Sequence, residues 1–236
     1  MARRITLPLI VLNYKAYSES TGPSSERLTS VVEEVQSEYN VSLFVAPQTT
    51  DIYRLTSRYS VRVLAQHVDP VRPGSYTGHV TVQAIKSAGA SGSLINHSEM
   101  TMRLSEIATV IGLLREEGLT SILCTDTLQS SIAGAMLRPD VIAIEPPELI
   151  GTGISVSTAR PELVRQTVEA VKGLNRDVIV LCGAGISNSE DVYRAIDLGS
   201  EGVLLSSAFV KSKDPKKLLR EMCELSIKAF ESAKRL

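Results

Sequence analysis

Basic residues do not outnumber acidic ones: 25 Lys and Arg stand against 26 Asp and Glu, a formal net charge of −1 over 236 residues. A nucleic-acid surface needs a basic stripe, and this balance gives no reason to expect one. A small anion is not excluded, because a few local donors bind one phosphate. The three histidines, His67, His79 and His97, never fall at helical i, i+4 spacing, so no metal site is expected. The three cysteines, Cys124, Cys182 and Cys223, also lack ligand spacing. They read as reduced thiols packed like small hydrophobes in a cytoplasmic protein. No run approaches the roughly 20 apolar residues of a membrane span. Arg3-Arg4 ahead of Ile5 to Leu12 imitates an export signal, yet the run holds Thr6 and Pro8 and leads into Asn13-Tyr14-Lys15 with no small-residue cleavage site. A first buried strand explains it better.

A Pro/Gly/Ser-rich linker is also missing, as is any low-complexity tract, so residues 1–236 read as one domain. Hydrophobic residues make up 43% and gather in short runs: Leu9–Leu12, Leu43–Ala46, Val61–Ala65, Ser93–Ile95, Ser121–Cys124, Val141–Ile144, Val178–Leu181 and Val203–Leu205. Near-continuous Val, Ile and Leu is the pattern of parallel strands covered on both faces. Helical stretches lie between most of them. Leu28, Val31, Val32 and Val35 share one helical face, as do Leu104, Ile107, Ala108 and Ile111, and Leu218, Met222, Leu225 and Ala229. Ser187 with Glu190 reads as a capping box, Asp214-Pro215 as an N-cap with a first-turn proline, and Ser157 or Thr158 as the opening of a helix near Pro161. About eight strand–helix units make an α/β fold, either a closed (β/α)8 barrel or an open doubly wound sheet. No Gly-x-Gly-x-x-Gly follows the first strand. The strand count favours the barrel; pattern alone leaves both open.

In a barrel, chemistry sits where strands end. Asn13 and Lys15 follow the first run, His97 the fourth, Glu145 the sixth, Gly183-Ala184-Gly185 the seventh and Ser206-Ser207 the eighth. Each alone has an ordinary reading: Glu145 as a rim carboxylate, His97 as a structural histidine, Lys15 as a solvated lysine. His67, His79 and Glu148 read as loop or solvent-facing residues.

At these positions the sequence resembles the triosephosphate isomerase family. The matching pieces are Asn13-Tyr14-Lys15, Ser75-Tyr76-Thr77-Gly78, Asn96-His97-Ser98-Glu99 and Ala143-Ile144-Glu145-Pro146-Pro147-Glu148-Leu149-Ile150-Gly151-Thr152-Gly153. The resemblance implies a single closed TIM barrel with outer helices and no cofactor. It implies interconversion of dihydroxyacetone phosphate and glyceraldehyde 3-phosphate, a step of glycolysis and gluconeogenesis. Glu145 matches the family's base, and a carboxylate in a dry pocket gains basicity. His97 matches the electrophile, a neutral imidazole, an arrangement for which this family is itself the standard example. Lys15 and Asn13 match donors to the developing negative charge. Glu99 matches a carboxylate that pairs with Lys15. Asn13, Tyr14, Lys15, Ile150, Gly151, Gly183, Gly185, Ser206 and Ser207 are the expected substrate contacts. Residues 146–156 form the expected lid, whose closure against water is known of this same family.

The sequence departs from the family in places. Many members carry Tyr-Gly-Gly-Ser where this chain has Cys182-Gly183-Ala184-Gly185, and two glycines where it has Ser206-Ser207. Met100 and Thr101 replace basic residues, and Glu148 replaces a bulky aromatic in the first lid hinge. These changes resemble the compact archaeal branch, which is often tetrameric, whereas the wider family is dimeric. A homo-oligomer is therefore expected, with Thr77 reaching a partner's active site. Rival readings are a sugar-phosphate epimerase or aldolase barrel, or a non-catalytic phosphate-binding barrel. An epimerase wants metal ligands or paired acids at strand ends. An aldolase wants a Schiff-base lysine inside a middle or late strand, and Lys15 and Lys211 stand elsewhere.

Overall fold

The computed structural model describes residues 5–150 and 152–233. Arg3-Arg4 and Gly151, named above, lie outside the described residues. In chain order the elements are β1 (Leu9–Asn13), α1 (Pro23–Glu38), β2 (Ser42–Ala46), α2 (Ile52–Thr56), β3 (Arg62–Ala65), α3 (Val82–Ser87), β4 (Gly92–Ile95), α4 (Leu104–Glu116) and β5 (Thr120–Thr125). They continue with α5 (Leu128–Met136), β6 (Val141–Ile144), α6 (Val156–Ala159), α7 (Pro161–Leu174), β7 (Ile179–Gly183), α8 (Ser189–Asp197), β8 (Gly202–Leu205), α9 (Ser207–Val210) and α10 (Pro215–Ala233). The strands pair in sequence order into a closed barrel, β1 to β8, all parallel. Closure is made by Leu9 opposite Gly202 through Leu12 opposite Leu205.

Alternation along each strand sorts the apolar residues into two cores. Leu9, Val11, Phe44, Leu64, Leu94, Ile122, Leu181 and Leu204 fill the barrel interior. Ile10, Leu12, Leu43, Val45, Val63, Ile142, Val180 and Val203 face the helices. Both faces of every strand are thus dry, which is why the runs were so continuously apolar. Burying side chains of this size contributes about 1.5–3 kcal/mol each.

The expected strands appear within two residues of their observed ends. Three local expectations are corrected. Leu104 and Ala108 are exposed, because the buried face of α4 runs through Ile107, Val110, Ile111 and Leu114 instead. Ser187 does not cap α8: its N–H and hydroxyl both donate to Asp191 Oδ2, leaving Asn188 to accept the Asp191 N–H at 3.0 Å. Ser157 and Thr158 lie inside α6, whose cap is Ser155, and α7 starts at Pro161 after an uncapped Arg160. Asp214 does cap α10, its Oδ1 accepting the Lys217 N–H at 3.0 Å.

Candidate active site

Parallel closure brings every strand's C-terminal end to one rim. Four non-glycine residues among those described have left-handed backbones, and three of them, Lys15, Asn96 and Ala184, lie at that rim. Such conformations cost of order 1 kcal/mol each and cluster where geometry is dictated by function.

Glu145 directly follows β6, its N–H donating to Thr125 O at 2.7 Å. Its side chain is 6% exposed as a residue, and Oε2 has no hydrogen-bond partner. Burial holds the carboxyl above its ordinary range; the nearby His97, the Cys124 thiol and Lys15 oppose that rise, and Glu99 adds to it. A carboxylate with little solvation is a stronger base. His97 Nε2 lies 3.8 Å from Glu145 Oε2. The Glu99 backbone N–H donates to His97 Nδ1 at 3.2 Å. A ring nitrogen that accepts this bond carries no proton, which leaves Nε2 as the donor toward Glu145.

Lys15 Nζ donates to Glu99 Oε1 at 2.7 Å, with the lysine side chain 12% exposed. Its backbone is fixed twice. Asn13 Oδ1 accepts the Lys15 N–H at 3.0 Å, and Gln66 Nε2 donates to both Lys15 O and Ala46 O at 2.9 Å. Asn13 is therefore placed as a support for Lys15.

A cavity of about 320 Å³ opens at this rim, lined by Lys15, Glu145, Ile150, Gly185, Ser206 and Ser207 among others. The Ser206 hydroxyl is buried and unpartnered. Six of the expected residues thus share one cavity. Among the other expected residues Asn13, Tyr14, His97, Glu99 and Gly183 are not part of this lining. The Tyr14 side chain is fully buried in the core, stacked on Phe209 with its hydroxyl 3.1 Å from Thr29 Oγ1. Gly183 packs against Glu145: a Cβ there would lie 2.5 Å from Glu145 Cγ. Its glycine makes room for the carboxylate. Gly185, with φ +72°, makes room for the segment expected to form the lid, because a Cβ there would lie 1.8 Å from Ile154 O. The lid is also tied by Glu148 to Arg160 at 2.8 Å and by Val156 N–H to Ala184 O at 3.2 Å. The Glu148 carboxylate is exposed, as read from sequence.

Three contributors escaped the sequence reading. Gln66 stands at the end of β3, where the strand-end rule could have found it. Asn96 bridges two loops, Nδ2 donating to Cys124 O at 3.1 Å and Oδ1 accepting the Met102 N–H at 2.9 Å. Cys124 packs its thiol on Glu145, and burial followed by that carboxylate's charge raises the thiol well above its ordinary range. It is a thiol kept neutral beside that carboxylate.

Among the described residues no helix is long and apolar enough to cross a membrane, and no group of three or more His, Cys, Asp or Glu could hold a metal ion. A sequence model of the triosephosphate isomerase family matches residues 8–224. Similar proteins include the triosephosphate isomerase of Methanothermus fervidus, 51% identical over 215 residues that cover 91% of this chain and 97% of that protein. Those of Methanocaldococcus jannaschii and Methanosarcina barkeri are each 50% identical, covering 91% and 93% of this chain and 98% and 99% of their own lengths. With that match over most of the chain and such coverage of its relatives, this chain belongs to the triosephosphate isomerase family.

Proposed function

We propose that this chain interconverts dihydroxyacetone phosphate and glyceraldehyde 3-phosphate as a single-domain enzyme without a cofactor, serving glycolysis and gluconeogenesis. The carbon next to a carbonyl is weakly acidic. Removing its proton needs a base of raised basicity, and the charge that builds on oxygen needs fixed donors. Glu145 takes the proton from one carbon and returns it to its neighbour. His97 donates its Nε2–H to the enediolate oxygens. Lys15 supplies positive charge, aimed by Glu99 through its side chain and by Asn13 through its backbone. The phosphate rests on the backbone and hydroxyls of Gly185, Ser206 and Ser207, with Ile150 closing over it from the lid. Water exclusion by that lid preserves an intermediate prone to expel its phosphate.

The observation that carries this reading is the 3.8 Å approach of the Glu145 carboxylate to the His97 imidazole, beside a lysine on one rim. The epimerase and aldolase alternatives gain nothing from the geometry, since no paired acid or strand-interior lysine joins the cavity lining. The enzyme works in the cytoplasm, consistent with three buried free thiols, and as a homo-oligomer. The exposed loop of residues 72–79 and the exposed Leu104 and Met136 support association as a dimer or tetramer. A coupled assay on wild type and Glu145→Asp tests the core of the proposal. Shortening the base by one methylene is expected to lower kcat by about 10²-fold or more with a modest change in KM. Absence of isomerisation by folded wild type overturns it.

A further inference from the structure

The cavity is poorly matched in charge to a phosphorylated substrate if only the residues already discussed are counted. Lys15 is engaged by Glu99 at 2.7 Å. With Glu145 ionised, that trio of side chains sums to one negative charge, while the substrate's phosphate brings nearly two more. The charged side chains lining the cavity are Lys15, Glu145 and one other, Lys211. Lys211 immediately follows α9, its N–H donating to Ser207 O at 2.9 Å. It therefore rises from the same short segment as Ser206 and Ser207. Its ammonium stands 4.2 Å from the centroid of the Tyr17 ring, and Tyr17 also lines the cavity. An aromatic face holds a cation without cancelling its charge. Glu19 also feels this lysine, yet it is fully exposed and so screened by water. On the same wall the buried Ser206 hydroxyl has no partner.

We propose that Lys211 is a second phosphate-facing cation, held at the cavity mouth by Tyr17, that makes the site select phosphorylated over unphosphorylated trioses. This inference rests on the reading of the cavity given under Proposed function. It assigns to Lys211 attraction and retention of the anion, and to Lys15 the charge that develops during proton transfer. An exposed cation acts over a short, salt-sensitive range, so its effect belongs in kcat/KM through KM.

Lys211→Met keeps the aliphatic stem beside Tyr17 and removes the charge. With dihydroxyacetone phosphate, kcat/KM is expected to fall about fivefold at low salt, with the loss in KM, and to converge on wild type as ionic strength rises. Binding of inorganic phosphate, read by calorimetry, is expected to weaken in parallel. Lys211→Arg is expected to restore both. Lys228→Met, on the exposed face of α10 and away from the cavity, controls for net charge and is expected to match wild type. Equal KM and equal phosphate affinity in wild type and Lys211→Met overturn the inference while leaving the isomerase reading intact. A folded wild type without isomerisation overturns that reading, and the phosphate titrations still decide whether Lys211 faces the anion.

Discussion

Gly183→Ala tests whether the placement of Glu145 sets the rate. Gly183 ends β7 and is paired opposite Leu204, so its backbone is anchored in the barrel. Its φ is outside the left-handed region, and alanine brings no backbone strain there. The added Cβ would lie 2.5 Å from Glu145 Cγ and 2.9 Å from Oε1. Carbon pairs relax at about 3.5 Å, so the freer partner, the glutamate side chain, must retreat by about 1 Å. That carries the carboxylate from its position 3.8 Å from His97 Nε2. A misplacement of about 1 Å in a reacting group costs about 10²-fold, and kcat is expected to fall by that factor with little change in KM. Overpacking costs about 1–3 kcal/mol, so the variant is expected to stay folded with Tm lowered by several degrees. A coupled kinetic assay beside a thermal melt gives both numbers. A well-folded variant with wild-type kcat would refute the reasoning, since the base would then tolerate displacement.

Further outcomes follow from the same contacts. Burial raises the Glu145 carboxyl above its ordinary value of 4.5, so the ionised group costs stability. The unfolded chain ionises first as pH rises past that value, and the cost is complete above the folded-state value. Glu145→Gln is therefore expected to be inactive but about 1–3 kcal/mol more stable than wild type near pH 8, the gain vanishing at acid pH; equal urea midpoints at pH 8 count against this. Lys15→Met is expected to lower kcat/KM by about 10²–10³-fold in steady-state assays. Gln66→Leu, which loses both 2.9 Å bonds that hold Lys15 O and Ala46 O, is expected to lower it about tenfold with Lys15 itself intact. Gly185→Ala is expected to raise KM and destabilise by about 1–3 kcal/mol, because both the positive φ and the Ile154 carbonyl oppose a side chain. A denaturant melt and a Michaelis curve report the two effects.

Alternation made the barrel legible: strands dry on both faces announce themselves as Val, Ile and Leu runs, and helices between them force parallel order. The rim positions of Glu145, His97 and Lys15 were legible because each stands one to three residues past such a run. Tyr14 misled for the same reason. It shares the strand end with Asn13 and Lys15, but its side chain turns to the helices, where Thr29 and Phe209 receive it. Which side of a rim a residue faces depends on the local backbone, and the left-handed Lys15 is where the chain reverses. The roles of Gln66 and Asn96 were missed although their strand-end positions were readable, because their work is done through main-chain groups of distant loops. The roles of Gly183 and Gly185 were hidden too, since a glycine's reason lies in its neighbour.

The contact between Gly185 and the Ile154 carbonyl ties two loops into one heritable unit. A side chain at 185 is incompatible with this backbone path of the facing segment, since its Cβ would lie 1.8 Å from Ile154 O. An exchange at 185 alone therefore meets the Ile154 carbonyl unless the facing segment changes with it. Chimeras that swap one of these segments without the other are expected to melt earlier than the parent.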